Sequence, residues 1–458
     1  MASKTRFVCS SCGYESGKWL GRCPDCSAWN TFAEVVVQEV SKTRGKSLID
    51  ITSSASPVQI SKVKSVRQSR ISTGFSEFDR VLGGGVVAGS VVLLSGDPGI
   101  GKSTLLLEIA INVADRTSHG VVRKDDNRKA KTEGPKVLYI TGEESESQVK
   151  LRAERILGSK RDPESLFVFS TGDIEAAIAA CEKVNADLII VDSIQTMATE
   201  SFPGFPGSLP QIRHSTSRLV SYAKKNSVPV FLIGHVTKEG IVAGPMLLSH
   251  MVDTVLYLEG ESLTGTKILR SFKNRFGDTS EVGIFTMEEV GLVQISDTAN
   301  FFMENAKNSV PGSCLTVVME GSRPIIVEIQ ALVVPSNLSF PRRVSNGISE
   351  KRLELLLAVI QKHLKTPLDR MDVFVNVVGG LKITETAADF AVCMAILSSF
   401  KNKALPGAVA IAEVGLLGEL KKVLNESSRI KEAKKLGFKR IYSVSNFRYL
   451  SDIIRNLN

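Results

Sequence analysis

"VVLLSGDPGIGKST", residues 91–104, decides the fold. An apolar, β-rich run ends at Gly96, and "STLLLEIAINVA" (103–114) then has the composition of a helix. Strand, glycine-rich turn and helix in that order form the setting in which G-x-x-x-x-G-K-[ST] binds phosphate. Gly96, Gly99 and Gly101 let backbone N–H groups close around phosphate oxygens, with Asp97, Pro98 and Ile100 completing the loop. The helix N-terminus adds positive potential. Lys102 is expected to reach the β- and γ-phosphates, and Ser103 to ligate Mg²⁺, with Thr104 beside it.

Outward from this loop the same alternation repeats. "KVLYITG" (136–142), "DLIIVDS" (187–193) and "PVFLIGH" (229–235) are further apolar runs ending in small or polar residues, with helical stretches between them. That pattern predicts an α/β domain with a parallel sheet covered on both faces. "TVLYLEG" (254–260), "TKILRSFKN" (266–274) and "VGIFTMEEVGLVQI" (282–295) are expected as antiparallel strands at its end. A charged excursion fills 115–135, longer than a helix-to-strand connection requires, and "SFPGFPGSLP" (201–210) is a Gly/Pro-rich loop. After a break near 300–312 an α+β region follows, with "SCLTVVMEG" and "RPIIVEIQALVV" as a strand pair and helices over "KRLELLLAVIQKHL", 386–399 and "SSRIKEAKKLGF". The expected organisation is multidomain: a four-Cys module at 1–32, a linker at 33–68, a P-loop domain at 69–300 and a second α+β domain at 312–458.

Two acidic positions complete the phosphate chemistry. Asp192 ends "DLIIVD" and can hold magnesium, directly or through water; alternatively it caps a following helix. "YITGEES" (139–145) offers Glu143 and Glu144, at the end of a strand read as the neighbour of the P-loop strand. One of them can orient the attacking water while the other is a first-turn acid favoured by the helix dipole. Glu143 is the preferred candidate.

"CSSCGYESGKWLGRCPDC" spaces Cys9, Cys12, Cys23 and Cys26 as C-x2-C-x10-C-x2-C. Four thiolates satisfy a tetrahedral Zn²⁺ with no open position, which makes the site structural. A module this small has too little core to fold unaided, so the metal would supply its folding energy. A disulfide pair or an iron–sulfur centre is the alternative.

The chain has 458 residues, 43% hydrophobic and 23% charged, and a net charge of +9. That length asks for more than one core. No apolar run approaches the ~20 residues of a membrane helix, and the N-terminus has no signal-peptide core, so a cytoplasmic location without membrane contact is expected. Residues 41–70 hold Lys42, Arg44, Lys46, Lys62, Lys64, Arg67 and Arg70 against Asp50 alone. Such a stretch is a solvated linker or a contact for an anionic polymer.

"SFKNRFG" (271–277) places Lys273 and Arg275 two apart, on one side of an extended segment. Taken alone it is an ordinary strand end with two solvated cations. The series of four-Cys module, "GDPGIGKS", "GEES", "LIIVDS", "GHVTKEG" and "KNRFG" closely resembles the bacterial RadA/Sms family along essentially the whole chain. "STGFSEFDRVLGGGVVAGS" (72–90) resembles that superfamily's segment before the P-loop. The resemblance implies a RecA-like ATPase core behind a zinc finger and ahead of a Lon-protease-like domain. It implies a hexameric ring that hydrolyses ATP, binds single-stranded and branched DNA, contacts recombination proteins and promotes branch migration in recombinational repair. It further implies that Lys273 and Arg275 act in trans on a neighbouring subunit's ATP, and that His235 and Lys238 belong to a switch. The DNA-facing loops would be 198–212 and 237–248, holding phosphates with weak sequence preference.

A Lon-type peptidase needs a nucleophilic Ser and an activating Lys. "ETAAD" (385–389) puts Ala387 where the Ser belongs, and Arg429 falls near the Lys position, with Ser427 and Ser428 on the wrong element. Arginine stays protonated and cannot serve as the base. The leading expectation is therefore a DNA-dependent ATPase motor, ahead of an ATP-dependent peptidase and of a nucleotide-switch scaffold with little turnover.

Overall fold

The structure is a computed structural model, and it describes residues 4–9, 15–24, 29–30, 32–37, 70–115, 134–158, 162–234, 248–260, 265–296 and 310–453. Cys12, Cys26, His235, Lys238, the basic stretch up to residue 69, most of the 115–135 excursion and most of the 237–248 loop lie outside the described residues. Two compact units are present: residues 1–75, 82–258 and 272–277 in the first, and 76–81, 259–271 and 278–458 in the second.

The first unit opens on a small antiparallel sheet of β1 (Lys4–Cys9), β2 (Glu15–Ser16) and β3 (Phe32–Val37), in the order β2-β1-β3. Its described core is Cys9, Cys23 and Phe32, with Phe7 and Leu20 against them. A two-stranded pair follows, β4 (Arg70–Ile71) and β5 (Val86–Val87), with α1 (Ser76–Leu82) between them in sequence. The main sheet comprises β6 (Val91–Gly96), β7 (Val137–Thr141), β8 (Leu166–Ser170), β9 (Leu188–Asp192), β10 (Val230–Ile233) and β11 (Thr254–Gly260). Their order is β11-β6-β10-β9-β7-β8, and every pairing is parallel. Helices α2 (Lys102–Ala114), α3 (Glu146–Leu157), α4 (Ile174–Val184) and α5 (Leu209–Asn226) connect them. β6, β7, β9 and β10 are buried at every residue, as strands covered on both faces must be.

Two expectations are corrected here. "TVLYLEG" runs parallel to β6, not antiparallel. The strand leading to Glu143 is not the neighbour of the P-loop strand, since β10 and β9 lie between β6 and β7. The chain places β7 and β8 toward the far edge first and fills the gap with later strands, a sheet order that apolar runs alone do not reveal. β8, half-exposed at that edge, also escaped the sequence reading.

The second unit holds β12 (Thr266–Asn274, whose last residues belong to the first unit), β13 (Val282–Glu288) and β14 (Gly291–Gln294), paired antiparallel. It also holds a six-stranded mixed sheet of β15 (Ser313–Glu320), β16 (Arg323–Pro335), β17 (Arg343–Asn346), β18 (Met371–Val377), β19 (Ala408–Ile411) and β22 (Arg440–Ser443). Its order is β17-β18-β16-β15-β19-β22, and β20 (Glu413–Val414) pairs with β21 (Leu420–Lys421). Helices α6 (Glu350–Leu364), α7 (Asp389–Phe400) and α8 (Glu426–Lys435) complete it. The fully buried Glu77 ties α1 into this unit, accepting from Arg323 at 2.6 Å and from the Ile284 amide at 3.1 Å. The span 69–300 is therefore shared between the two units.

Candidate active site

The phosphate loop grows directly from the end of β6. Gly96 has φ +151°, and a Cβ there would lie 2.3 Å from the Leu258 carbonyl oxygen, so no side chain fits. Gly101 caps α2 at φ +109° without any side-chain cap, and the first turn of α2 carries no acid. Its N–H groups are thus left for an external anion. Asp97, Pro98 and Gly99 are exposed, Ile100 is buried, and Ser103 and Thr104 are half-buried. Lys102 is 3% exposed and donates to the carbonyl oxygens of Gly96 at 2.8 Å and Asp97 at 2.9 Å. Burial holds its ammonium below the ordinary lysine value, against the opposing pull of Asp192, Asp97 and Glu143.

Asp192 ends β9, almost fully buried, and sits level with Thr141 of β7. It accepts from the Tyr139 hydroxyl at 2.6 Å. Burial, then the charge of Asp192 and its hydrogen bond, push the Tyr139 phenol well above its ordinary value. The turn after Asp192 is a single 3-10 turn, Ile194–Thr196. The Asp192–Ser193 peptide is cis.

Glu143 and Glu144 separate clearly in space. Glu144 is ion-paired with Arg152 of α3 and its amide donates to Thr141 Oγ1 at 3.0 Å. Glu143 accepts from Ser193 Oγ at 2.9 Å and lies close enough to Lys102 to act on its charge. Glu143, Asp192 and Lys102 are thus brought together, and Glu144 is engaged by α3. Gly142 permits this approach, because a Cβ there would lie 2.0 Å from Thr196 Oγ1.

Lys273 and Arg275 lie elsewhere. Lys273 donates to the carbonyl oxygens of Ser249 at 2.6 Å and Val252 at 2.8 Å. Arg275, its side chain 54% exposed, pairs with Asp253 Oδ1 at 3.2 Å. The other oxygen of Asp253 accepts from the Val91 amide at 3.1 Å. Val91 begins β6, whereas the phosphate loop begins at its far end. Five strand steps at ~3.3 Å put about 17 Å between them.

One side chain ties together residues 199–204 of the loop between β9 and α5. Gln211, 1% exposed, accepts from the Thr199 amide at 3.0 Å. Its amide donates toward the carbonyls of Thr199, Phe202 and Gly204 at 2.9, 2.6 and 3.1 Å. Phe202 stacks on His214 with centroids 4.5 Å apart, and Phe205 is exposed.

In the second unit, Ala387 is buried in an apolar cluster with Leu315, Val317 and Ile411. Arg429, 1% exposed, is ion-paired with Glu385 through both carboxylate oxygens and donates to the Val317 carbonyl at 2.6 Å and that of Leu424 at 2.9 Å. Neither a hydroxyl nor a titratable amine occupies this pair of positions.

In the N-terminal module Cys9 and Cys23 are both buried, in the same cluster, and neither forms a disulfide. Two buried thiols, one from each C-x2-C, beside only Phe7, Leu20 and Phe32 among the described apolar side chains, suit a thiolate-held Zn²⁺.

Tyr139, Arg152 and Ser193 are the residues that sequence reasoning missed. The available signal was a tyrosine inside an otherwise aliphatic strand, whose hydroxyl must find a partner when buried.

Comparison with known proteins places these features in a family. A model described as an AAA domain matches residues 57–240, and one described as a rubredoxin metal binding domain matches residues 7–34. The chain is 44% identical to the DNA repair protein RadA of Bacillus subtilis over 441 residues, covering 96% of this chain and 92% of that protein. It is 44% identical to the RadA of Pseudomonas aeruginosa over 439 residues, with the same coverage, and 42% identical to that of Streptococcus pyogenes serotype M6 over 446 residues, covering 97% and 93%. Among solved structures, the RadB recombinase aligns with 49% of this chain and 99% of its own at 22% identity, with a TM-score of 0.37, a superposition too loose to argue from.

Proposed function

The chain belongs to the RadA family of DNA repair proteins, and from that premise we propose a DNA-dependent ATPase motor whose active site is completed by a second copy of the chain. It is a RecA-like ATP hydrolase of recombinational DNA repair, with ATP, Mg²⁺ and Zn²⁺ as its cofactors. No described helix is long and apolar enough to cross a membrane.

In the proposed site, residues 96–104 cradle the phosphates and Lys102 exchanges its two carbonyl partners for phosphate oxygens. Ser103 and Asp192 hold magnesium, which supplies positive charge to the β- and γ-phosphates when bound. Glu143 orients the attacking water, and Glu144, already taken by Arg152, is its structural neighbour. Cys9, Cys12, Cys23 and Cys26 hold the zinc. Lys273 and Arg275 serve the neighbouring subunit's γ-phosphate, neutralising charge that develops in the transition state.

One observation carries the in-trans assignment: Arg275 pairs with Asp253, whose other oxygen holds the Val91 amide at the start of β6, about 17 Å of strand from the phosphate loop, and Lys273 is bonded to the neighbouring Val252 carbonyl. The assembly is a ring, expected to be hexameric, with residues 198–212 facing single-stranded or branched DNA, a cytoplasmic location and contacts to recombination proteins. The Lon-like unit acts as a scaffold without peptidase activity, a reading supported by buried Ala387 and the Glu385–Arg429 pair.

The test mixes Lys102→Ala subunits with Arg275→Ala subunits and measures phosphate release on single-stranded DNA. Each variant alone should be inactive. Mixed rings should regain activity where an intact phosphate loop meets an intact Arg275. No recovery at any mixing ratio, from variants that both fold and assemble, removes the in-trans role.

A further inference from the structure

Each of the two acids at the head of the sheet is gripped by a hydroxyl from the other acid's strand. Tyr139 of β7 donates to Asp192 Oδ2, at the end of β9, at 2.6 Å. Ser193, just past β9, donates to Glu143 Oε1, just past β7, at 2.9 Å. Thr141 and Asp192 are register partners, and Tyr139 and Glu143 lie two residues to either side of Thr141, within and just past β7. Behind the phenol, Arg152 lies close enough for its charge to act on Tyr139, and Glu144 takes the same guanidinium. A neutral hydroxyl is thus bonded to the Asp192 carboxylate within range of a guanidinium that Glu144 already holds.

That placement has a chemical consequence. A carboxylate offers about four lone-pair positions, and the phenol fills one on Oδ2. A neutral donor orients the group without cancelling its charge. A guanidinium in the same place would form a charge-assisted pair and weaken the carboxylate's hold on a cation. Without the Tyr139 hydroxyl, Asp192 loses a buried partner and Arg152 gains a direct approach to it.

We propose that Tyr139 and Ser193 are positioning residues that fix the two acids separately. Tyr139 holds Asp192 in its magnesium-receiving pose and keeps Arg152 from neutralising it, while Ser193 aims Glu143 at the attacking water. The inference rests on the reading of Asp192 and Glu143 given above.

The experiment measures binding of a fluorescent, non-hydrolysable ATP analogue to the full-length protein with and without Mg²⁺, together with single-turnover phosphate release. The variants are Tyr139→Phe and Ser193→Ala, with Asp192→Asn and Glu143→Gln as references and circular dichroism as the folding check. Tyr139→Phe should cut the Mg²⁺-dependent gain in affinity by about tenfold and leave Mg²⁺-free affinity unchanged, as loss of an outer partner of a metal ligand does. Adding Arg152→Met to Tyr139→Phe should restore part of that gain. Ser193→Ala should leave both affinities unchanged and slow phosphate release about tenfold. An unchanged Mg²⁺ gain in Tyr139→Phe, or equal losses with and without Mg²⁺, overturns its positioning role. Unchanged phosphate release in Ser193→Ala overturns the other half, and that arm decides alone if Tyr139→Phe does not fold. If Asp192→Asn itself keeps the Mg²⁺ gain, or Glu143→Gln keeps full turnover, the underlying reading of the acids is what fails.

Discussion

Two buried cations occupy positions that the sequence singles out for chemistry, and they are satisfied in opposite ways. Lys102 is bonded to two backbone carbonyl oxygens, with acids acting on it only from a distance. Arg429 is closed by both oxygens of Glu385 and by two further carbonyls. A carbonyl accepts a hydrogen bond but leaves the charge in place, whereas a bidentate carboxylate cancels it. The first cation's charge is left uncancelled, at the N-terminus of α2, where no side chain caps the helix. The second has become a packing element, beside an alanine that has nothing to activate. Burial of a charged residue is therefore no index of function; the charge of its partners is.

The larger effect on turnover is expected at Lys102. Lys102→Ala should lower phosphate release by on the order of 10²–10³-fold, the scale of losing one preorganised charge contact. Its urea unfolding midpoint should stay close to that of the parent, since no ion pair is lost. Glu385→Ala should do the reverse, leaving Arg429 buried and uncompensated. Unfolding free energy of the second unit should fall by about 3 kcal/mol, at the low end for a buried pair because Glu385 is partly exposed. A Lys102→Ala protein that unfolds early, or a Glu385→Ala protein as stable as the parent, would erase the contrast.

The smallest effect is a matter of pH. Burial lowers the proton affinity of Lys102, so the ammonium deprotonates earlier than an exposed lysine as pH rises. Affinity for ATP should hold through neutral pH and decline as pH rises through the depressed value, before an ordinary lysine at 10.5 would deprotonate. The sign for folding is opposite. The unfolded chain binds this proton more tightly, so the group's penalty on stability is present at low pH and is relieved as pH rises through that window. Titrating analogue affinity and unfolding free energy against pH on the same samples checks both slopes.

How much of this was legible in the sequence depended on whether function is written in local backbone geometry. The phosphate loop was, because its glycines and lysine act through turn conformation and a helix terminus within a few residues. The missing dyad was legible for a similar reason: Ala387 and Arg429 lack the required atoms whatever their surroundings. The choice between Glu143 and Glu144 could be ranked but not argued, since it turns on Arg152 of α3 and on Ser193 from another strand. The strand order was misjudged because apolar runs report burial, not neighbours. Tyr139 went unnoticed because an aromatic residue in an aliphatic strand reads as core until its hydroxyl is seen against Asp192. Lys273 and Arg275 owed their reading to family resemblance, and the structure adds that Arg275's partner Asp253 holds the end of β6 opposite the phosphate loop.

The Gln211 staple bears on the thermodynamics of contact. Fixing a residue's backbone costs on the order of 1–2 kcal/mol in conformational entropy. By tying Thr199, Phe202 and Gly204 to one buried amide, the chain settles that loss while folding. A ligand meeting residues 199–204 encounters a preorganised surface with Phe205 held outward, and its binding enthalpy is not consumed in ordering the loop. A calorimetric signature follows from that: contact at this segment should carry a smaller entropic penalty in the parent than in a Gln211→Ala chain.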